Sequence, residues 1–193
     1  MAYTFRKLKL ADAYKFRHWG THEDVRFFQY NFPFDDEADY IYWYLTKQRL
    51  LIRKIYGLFD TEDQPVGFIT LKHIRWTRRS AELGIAIDPD HLSVGLGRNL
   101  IDAFLNHIFT HYPIHKLQLR VAEFNTRAQR CYAACGFKTI TKQAQPFEEQ
   151  SFKEEIMAQY GDQFFISDNV LYTNFFVMEI DRKNYFKNRH QAS

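Results

Sequence analysis

Cysteine, proline and glycine are scarce in this sequence, with two, five and eight residues respectively among 193. Cys131 and Cys135 are spaced i, i+4, and no histidine or further cysteine stands at zinc-finger spacing from them. Such a pair favours reduced structural thiols over metal binding or redox use, and no metal is expected. The lack of Pro/Gly/Ser-rich linkers and of internal repeats predicts a single domain over residues 1–193.

Long apolar runs and blocks of like charge are also missing. No stretch approaches the roughly 18 apolar residues that span a bilayer, and the opening MAYTFRKLKLADAY lacks the apolar core of a signal peptide. A soluble, cytoplasmic protein without a membrane partner is therefore expected. The formal net charge of +3 suits an anionic ligand, but lysine and arginine are scattered, so nucleic acid is not indicated.

Apolar and aromatic residues are plentiful. Hydrophobic residues make up 46% of the chain and charged residues 25%, which is typical of a globular domain that folds without disulfides or metal. The aromatic content of 18% includes 19 Phe and 12 Tyr. It favours a bulky core and aromatic-lined grooves over a platform that stacks nucleic-acid bases.

The N-terminal part alternates strand and helix patterns. YTFRKLKL alternates as a strand, and ADAYKFRHWG follows as a short helix that Gly20 ends. A second helix is predicted from Asp35 to about Lys54, with Asp35 or Asp36 as its N-cap. Its apolar stripe consists of Tyr40, Ile41, Tyr44, Leu45, Leu51 and Ile52. IYGLFD and VGFITLKHI then form a predicted hairpin around the turn residues of TEDQP.

The middle of the chain predicts strand, helix, strand and helix in succession. AELGIAI is a compact apolar run that Asp88 and Pro89 end, as expected of a buried strand. A helix from about Leu96 to His111 follows, and then KLQLRVAE alternates as a strand. Asn125 or Thr126 can cap the next helix, TRAQRCYAAC, which closes on Gly136 as its C′ residue. The helix from Leu96 places one face toward the core, formed by Leu100, Ile101, Phe104, Leu105 and Ile108.

The C-terminal part is less regular. Residues 143–169 resemble an insertion that holds one amphipathic helix, with Phe152, Ile156 and Tyr160 at four-residue spacing and Gly161 beyond its end. LYTNFFVMEI predicts a last strand before a polar basic tail. This order of elements indicates an α+β fold with a parallel pair in the middle of its sheet.

Gly95 and Gly97 lie in the loop between a buried strand and a helix. Glycine lets backbone N–H groups turn toward a ligand, and a helix N-terminus carries roughly half a positive charge that favours phosphate. A plain strand-to-helix turn explains the same pair of glycines equally well. The loop is neither a G-x-G-x-x-G fingerprint, because position 100 is Leu, nor a Walker loop.

A longer pattern joins this loop to the helix that follows the next strand. The order strand, x-D-P-x-x-x-x-x-G-x-G, helix, strand, N-x-x-A-x-x-x-Y-x-x-x-G-F resembles the GCN5-related N-acetyltransferase (GNAT) superfamily over roughly residues 66–142. AELGIAIDP and NTRAQRCYAACGF are similar to its ribosomal-protein-type and polyamine-type branches. The resemblance implies a mixed, mostly antiparallel central sheet with a splayed parallel pair and flanking helices.

The resemblance also implies acetyl-CoA as co-substrate and no metal. Residues 93–99 would hold the pyrophosphate on backbone N–H groups, the strand at 85–87 would pair with the pantetheine amides, and Asn125 would hydrogen-bond the same arm. The implied donor-binding residues are Ile85, Ala86, Ile87, Ser93, Val94, Gly95, Leu96, Gly97, Arg98, Asn99, Asn125 and Arg127.

One position departs from the family pattern. Leu92 stands three residues before the first loop glycine, where the family usually has Gln or Arg, so a side-chain contact to the donor is lost. Arg98, Arg127 or Arg130 could replace that contact by meeting a phosphate, although exposed, solvated arginines are the commoner outcome.

Catalysis, by the same resemblance, is a direct attack of a neutral amine on the thioester. Tyr132 would protonate the departing thiolate, and the strand at 85–87 would offer an N–H to the developing oxyanion. Glu82 would accept the amine proton through water. An ion pair between Glu82 and Arg78 or Arg79 is the alternative, and both remain open.

The expected acceptor is a small-molecule amine or a protein N-terminus. Its walls are predicted from residues 22–40 and 143–169, where the segment with Phe147, Phe152, Phe164 and Phe165 would narrow the pocket or form a dimer contact. The chain is expected to be a monomer or a homodimer. A non-catalytic CoA-binding or regulatory module on the same fold is the alternative function. An RNA-directed acetyltransferase would need a contiguous basic face, which the sequence does not show.

Overall fold

A computed structural model describes residues 3–48, 53–92 and 95–190 of the chain. Within these ranges the chain forms eight β-strands and six α-helices. The strands are β1 (Thr4–Lys7), β2 (Lys54–Phe59), β3 (Pro65–Arg75), β4 (Ser80–Ile87), β5 (Lys116–Ala122), β6 (Lys138–Pro146), β7 (Phe164–Ser167) and β8 (Val170–Asp181). The helices are α1 (Leu10–Ala13), α2 (Glu37–Lys47), α3 (Leu96–His111), α4 (Thr126–Ala134), α5 (Lys153–Tyr160) and α6 (Arg182–His190). Short 3₁₀ helices cover Tyr14–His18, Val25–Tyr30 and Pro89–His91.

The strands form one sheet in the order β1-β2-β3-β4-β5-β8-β6, with β7 paired to β8. The β4–β5 pair is parallel, and every other neighbouring pair in the described sheet is antiparallel. β4 pairs with β5 only from Ser80 to Glu82, opposite Lys116 to Gln118, after which the two strands separate. The predicted α+β fold with a splayed parallel pair in a mostly antiparallel sheet is therefore confirmed.

Helix α3 covers one face of the sheet through the side chains that its periodicity predicts. Leu100, Ile101, Phe104, Leu105 and Ile108 are fully buried. They pack in one hydrophobic cluster with side chains of β3, β4 and β5, including Leu71, Leu83 and Leu119. Burial of this stripe holds α3, which begins directly after Gly95, against the sheet.

Two smaller clusters account for the high aromatic content. In the first, the Phe16 ring lies 4.6–5.4 Å, centroid to centroid, from the rings of Trp19, Phe32, Trp43 and Phe68. The second cluster joins the 3₁₀ helix at 25–30 to residues 147–171 and contains Val25, Phe147, Ile156, Phe164 and Leu171. The expected aromatic core is present, and it is spread over these two clusters and the main cluster, which contains Tyr56, Phe104 and Phe109 among others.

The predicted helix from Asp35 to Lys54 is wrong at its C-terminal end. Asp36 caps the helix by accepting a hydrogen bond from Ala38 N, as expected, but the helix ends at Lys47. Lys54 already belongs to β2, where it pairs with Leu71. Pairing with β3 overrides the helical spacing of the sequence, and Leu51 and Ile52 lie outside the described residues.

The segment at 143–169 is built into the sheet. It contains the end of β6, helix α5 and β7, and both strands pair with β8. The predicted helix is present, with Ile156 fully buried and Gly161 at its end.

Elsewhere, the short helix after β1 becomes 3₁₀-helical from Tyr14 onward. Among the described helices, none has the length and apolar character needed to cross a bilayer.

Candidate functional site

The opening between β4 and β5 exposes backbone groups of β4. Gly84 and Asp88 direct their peptide groups to β3, since Thr70 Oγ1 donates to Gly84 O at 3.4 Å and Asp88 N donates to Val66 O at 3.1 Å. Peptide groups alternate in direction along a strand, so Ile85 and Ile87 present N–H and C=O to the opening. These unpaired groups can hydrogen-bond an extended ligand that takes the place of a strand.

Two cavities meet at this opening. One, of about 390 Å³, lies toward the 92–98 loop and α4 and is here called the donor cavity. The other, of about 300 Å³, lies among the 3₁₀ helix at 25–30, α2, β5 and residues 146–148, and is called the acceptor cavity. Both are lined by Phe27, Tyr30, Ile85, Ala86, Asn125 and Tyr132. A group bound between the two cavities therefore contacts Tyr132.

The donor cavity contains the glycine loop. Gly95 has φ 85°, a conformation that side chains other than glycine rarely adopt, and it starts α3. Gly97 lies two residues further on, where an added Cβ would contact Cys131 Sγ at 3.4 Å. The N-terminus of α3 thus faces the cavity at the closest approach of α3 and α4, which suits a bound phosphate.

The side chains around the loop add positive charge. Arg98, Arg127 and Arg130 line the donor cavity beside the apolar Leu92. They occupy the positions predicted to replace the missing family contact. The electrostatics of this cavity favour an anionic ligand.

Not every predicted donor-binding residue presents its backbone N–H to the donor cavity. Asn99 is exposed outside the cavity lining, and its N–H donates to Gly95 O at 3.3 Å. The N–H of Arg98 donates to the same oxygen at 3.1 Å, so only its side chain is available to a ligand. Ser93 and Val94 lie outside the described residues.

Asn125 can cap α4 and bind a ligand at the same time. Its Oδ1 accepts a hydrogen bond from Ala128 N at 3.1 Å and so caps α4. Its Nδ2 forms no hydrogen bond within the described part of the chain, and the residue lines both cavities. The cap fixes the carboxamide, which leaves the amide N–H groups for a ligand carbonyl.

Tyr132 is 7% exposed and lies on α4 where the two cavities meet. Burial is the main cause that raises the pKa of its phenol, and the neighbouring Tyr30, Cys131 and Cys135 raise it further. The phenol therefore keeps its proton across the physiological range. A protonated hydroxyl at this point can donate to a leaving group.

Cys131 contributes to the donor cavity in a way that the sequence did not reveal. Both cysteines are free thiols and half-buried, consistent with the predicted structural use. Cys131 nevertheless lines the cavity. Contact with Cys135 lowers the pKa of its thiol, against the effect of burial, and Arg98 and Arg127 lower it further.

Glu82 is held by three basic side chains. Its Oε1 lies 3.2 Å from Lys72 Nζ and 3.2 Å from Arg120 Nε, and its Oε2 lies 3.0 Å from His73 Nδ1. Partial burial opposes ionisation, but Lys72, His73 and Arg120 outweigh it and lower the carboxyl pKa. The expected ion pair therefore forms with different partners from Arg78 and Arg79. Those two lie in the β3–β4 turn, whereas the register places Lys72 directly opposite Glu82.

The acceptor cavity has aromatic walls and charged side chains. Phe27 and Tyr30 come from the predicted 22–40 wall, and Phe147 and Glu148 come from the predicted 143–169 wall. Of the four phenylalanines singled out in that segment, only Phe147 lines the cavity. Phe164 packs behind it in the core, and Phe152 and Phe165 are exposed.

Helix α2 supplies a wall that sequence reasoning missed. Trp43 and Lys47 line the acceptor cavity together with Lys72, Glu82 and Arg120. Trp43 and Lys47 are spaced i, i+4 on a predicted helix, which places them on one face. The local sequence did not indicate which part of the protein that face would contact. Within the described ranges, no group of three or more His, Cys, Asp or Glu side chains is placed to hold a metal ion.

Comparison with known proteins gives consistent matches. The family model described as an acetyltransferase (GNAT) domain matches residues 3–138. The spermidine N(1)-acetyltransferase of Vibrio cholerae serotype O1 is 38% identical over 78 residues, which is 40% of this chain and 45% of that protein. The matched region thus spans less than half the length of that curated relative.

Solved structures share the fold. The crystal structure of spermidine N-acetyltransferase from Vibrio cholerae in complex with CoA and spermine has a TM-score of 0.72 and 23% identity, covering 95% of this chain and 98% of that one. A spermidine/spermine N-acetyltransferase from the same organism, in complex with manganese ions, has a TM-score of 0.68 and 22% identity, with 96% of both chains covered.

Proposed function

Because this chain belongs to the acetyltransferase (GNAT) domain family, we propose that it transfers an acetyl group from acetyl-CoA to a primary amine. The observation that carries the proposal is the position of Tyr132. Its buried, protonated phenol lies where the donor cavity, lined by Arg98, Arg127 and Arg130, meets the aromatic acceptor cavity at the opening between β4 and β5.

The donor cavity supports acetyl-CoA as co-substrate. The N–H groups at the start of α3, with Arg98, Arg127 and Arg130, suit the pyrophosphate. The open peptide groups of Ile85 and Ile87 suit the amides of a pantetheine arm that lies along β4. Asn125 Nδ2 can donate to the same arm.

The reaction then follows from the groups at the junction. The amine nitrogen forms a bond to the acetyl carbon, the carbon–sulfur bond breaks, and the Tyr132 hydroxyl gives its proton to the departing thiolate. A backbone N–H of β4 that faces the opening stabilises the oxyanion that forms in between. The proton lost by the amine passes to water, and the phenolate of Tyr132 regains a proton from solvent.

Glu82 is proposed to organise the acceptor cavity more than to remove this proton. Both of its oxygens already accept from basic side chains, and its lowered pKa makes it a weak base. The alternative of a relay from the amine through water to Glu82 predicts a much larger loss of activity in Glu82→Gln.

The acceptor is proposed to be a small molecule. The curated relative and the solved structures are named for spermidine or spermine, which are primary amines. A cavity of about 300 Å³ suits a small ligand better than an extended peptide. A peptide N-terminus would need an open groove in place of the contact between residues 25–30 and 147–171.

The test is release of free thiol from acetyl-CoA in the presence of a panel of amines. Tyr132→Phe should lower kcat by about a hundredfold or more, because general-acid catalysis is worth roughly 10²–10⁴-fold, with donor binding unchanged. Tyr40→Phe is the matched control, since the Tyr40 hydroxyl is buried without a hydrogen-bond partner among the described residues. A Tyr132→Phe variant as active as the parent would refute the proton-donor role.

The same experiment addresses the non-catalytic alternative. A CoA-binding or regulatory module would bind acetyl-CoA, measured by calorimetry, and release no thiol with any amine. The second cavity that joins the donor cavity favours the enzyme, because a module that only binds CoA has no use for an acceptor pocket.

A further inference from the structure

The acceptor cavity carries more positive than negative charge. Its described charged lining consists of the cations Lys47, Lys72 and Arg120 and the anions Glu82 and Glu148. From this balance we infer that the acceptor is a small primary amine that also carries an anionic group, a carboxylate or a phosphate, at the far end of an apolar or aromatic body. The inference rests on the proposed acetyltransferase function and specifies its substrate class.

Lys47 is the residue that points to an anion. It lies at the last turn of α2, is partly buried, and lines the cavity with its Nζ 6.0 Å from the Trp43 ring centroid. In the described part of the chain no carboxylate lies within 4 Å of this ammonium group, whereas Lys72 and Arg120 both contact Glu82. A partly desolvated cation with no carboxylate partner among the described residues favours a ligand that supplies the negative charge.

Electrostatics around Lys47 support the same reading. Burial lowers its pKa, Glu148 raises it, and Lys72 and Arg53 lower it again. Glu148 is exposed and forms no ion pair within the described residues, so it does not neutralise the cavity. The net effect of the surroundings is a site that is short of negative charge.

A polyamine is poorly matched to this lining. Several ammonium groups would each need an anion, but Glu82 Oε1 already contacts Lys72 and Arg120, and Glu82 Oε2 contacts His73. Exposed Glu148 is the one remaining carboxylate among the described lining residues. Binding a polycation here would place like charges near Lys47 and Arg120 without compensation.

Strand β4 gives the distance between the charged residues around Glu82 and the junction of the two cavities. Lys72, which interacts electrostatically with Lys47, lies opposite Glu82 on the neighbouring strand. Ile85, which lines the junction with the donor cavity, lies three residues further along β4, or about 10 Å at roughly 3.3 Å per residue. The body between the two ends would pack against Phe32, Phe34, Trp43 and Phe68.

The excess positive charge also favours the chemistry. Nearby cations lower the pKa of a bound amine, so a larger fraction of it is the neutral nucleophile at physiological pH. A strong base is then not needed, which fits a Glu82 whose oxygens are already engaged.

The test compares four amines that share an eight-carbon chain, each assayed with acetyl-CoA as donor: aminooctanoate, aminooctyl phosphate, octylamine and diaminooctane. Spermidine is assayed alongside them. We expect kcat/KM to be highest for an anionic amine, intermediate for octylamine and lowest for diaminooctane, with about tenfold between the extremes. Preference for aminooctanoate or for aminooctyl phosphate identifies which anion the site takes, and either supports the inference.

Variants assign the preference to Lys47. Lys47→Met should bring the ratio of kcat/KM for the anionic amine over octylamine toward one, and Lys47→Glu should favour diaminooctane. Lys153→Met, which removes a partly buried lysine that contacts Asn169 outside the cavity, should keep the parent ratio.

Two failures are distinguishable. Acetylation of spermidine or diaminooctane in preference to the anionic amines, or an unchanged ratio in Lys47→Met, would overturn the inference and leave the acetyltransferase proposal standing. Absence of thiol release with every amine would overturn the acetyltransferase proposal itself.

Discussion

Tyr132 and Glu82 lie in opposite electrostatic surroundings. Burial against aromatic and thiol side chains keeps the phenol of Tyr132 neutral, because the charged form would be poorly solvated. Cations on two neighbouring strands keep the carboxyl of Glu82 charged. The surroundings thus keep Tyr132, the proposed proton donor, neutral and Glu82 anionic, and of the two only Tyr132 lines both cavities.

Glu82→Gln separates the two roles proposed for this residue. We expect kcat/KM to fall less than about tenfold, because the amide keeps the shape and loses only the charge that holds Lys72 and Arg120. A general base would be worth roughly 10²–10⁴-fold. Steady-state kinetics with one amine, measured across pH, decides between them.

The outcome that contradicts an organising role is a hundredfold loss in kcat that recovers as the pH rises and more of the amine becomes neutral. Glu123→Gln is the control, since Glu123 also accepts from a lysine but lies outside both cavities.

At the scale of elements, two glycines stand at the start of α3, and a different structural feature favours glycine at each position. Gly95 adopts φ 85°, and no atom of the described residues beyond its chain neighbours lies within 4 Å of an added Cβ. Only the backbone conformation therefore favours glycine at this position. Gly97 is helical, and its constraint is the nearby Cys131 together with any ligand over the helix N-terminus.

Alanine at each position should therefore have different effects. Gly95→Ala should lower the free energy of unfolding by about 1–2 kcal/mol, the cost of a left-handed conformation for a residue with a Cβ. Gly97→Ala should be neutral or stabilising by up to about 1 kcal/mol, since alanine favours a helix, while weakening acetyl-CoA binding. Urea unfolding and calorimetry with acetyl-CoA provide the two measurements.

Equal destabilisation by both substitutions would contradict this division. Unchanged acetyl-CoA affinity in Gly97→Ala would show that the ligand does not approach the backbone there.

Segment 143–169 acts as an element of the site through its packing. Ile156 and Phe164 are buried behind Phe147, which faces the acceptor cavity. The 3₁₀ helix at 25–30 packs against the same cluster through Val25. Two stretches separated by more than a hundred residues in the chain therefore form one wall, and changes in either should alter acceptor affinity first.

At the scale of the whole molecule, the sheet both stabilises the fold and divides the site. β4 pairs with β3 along its length and with β5 only at its start, so one strand belongs to the core and to the ligand site. Ion pairs around Glu82 span β3, β4 and β5 at the point where the opening begins.

This cluster predicts a pH dependence of stability. The lowered pKa of Glu82 means that the folded state holds fewer protons than the unfolded state once the pH falls below the ordinary value of about 4.3. The stabilisation is fully present above that value and is lost as the pH falls toward the lowered folded pKa. The difference in unfolding free energy between the parent and Glu82→Gln should therefore shrink between about pH 5 and about pH 3.

Urea unfolding of both proteins at several pH values measures that difference. Burial lowers the pKa of His22 and His107, which costs stability below about pH 6.5 in both proteins alike and cancels in the comparison. Glu62→Gln, in the exposed β2–β3 turn, is the control. A difference between parent and Glu82→Gln that stays constant with pH would count against the ion-pair assignment.

The sequence by itself determined the features that depend on spacing along the chain. The α3 stripe, the Asn125 cap, the Gly95 loop and the run from Asn125 to Phe137 are local patterns, and backbone geometry converts each directly into structure. These patterns also carried the family resemblance, which the match over residues 3–138 confirmed. The site residues derived from it remain predictions, although Gly95, Asn125 and Tyr132 all lie at the two cavities.

Only the tertiary structure decided which side chains meet. Lys72 and Arg120 reach Glu82 because of strand register, and Lys47 reaches the acceptor cavity because α2 packs beside β3 and ends seven residues earlier than its periodicity predicts. Register and packing depend on contacts between distant parts of the chain, which a pattern along one segment does not contain. The candidate proton donor, Tyr132, therefore lies in a local motif that carries the family resemblance, whereas no local pattern indicated the charge of the acceptor site.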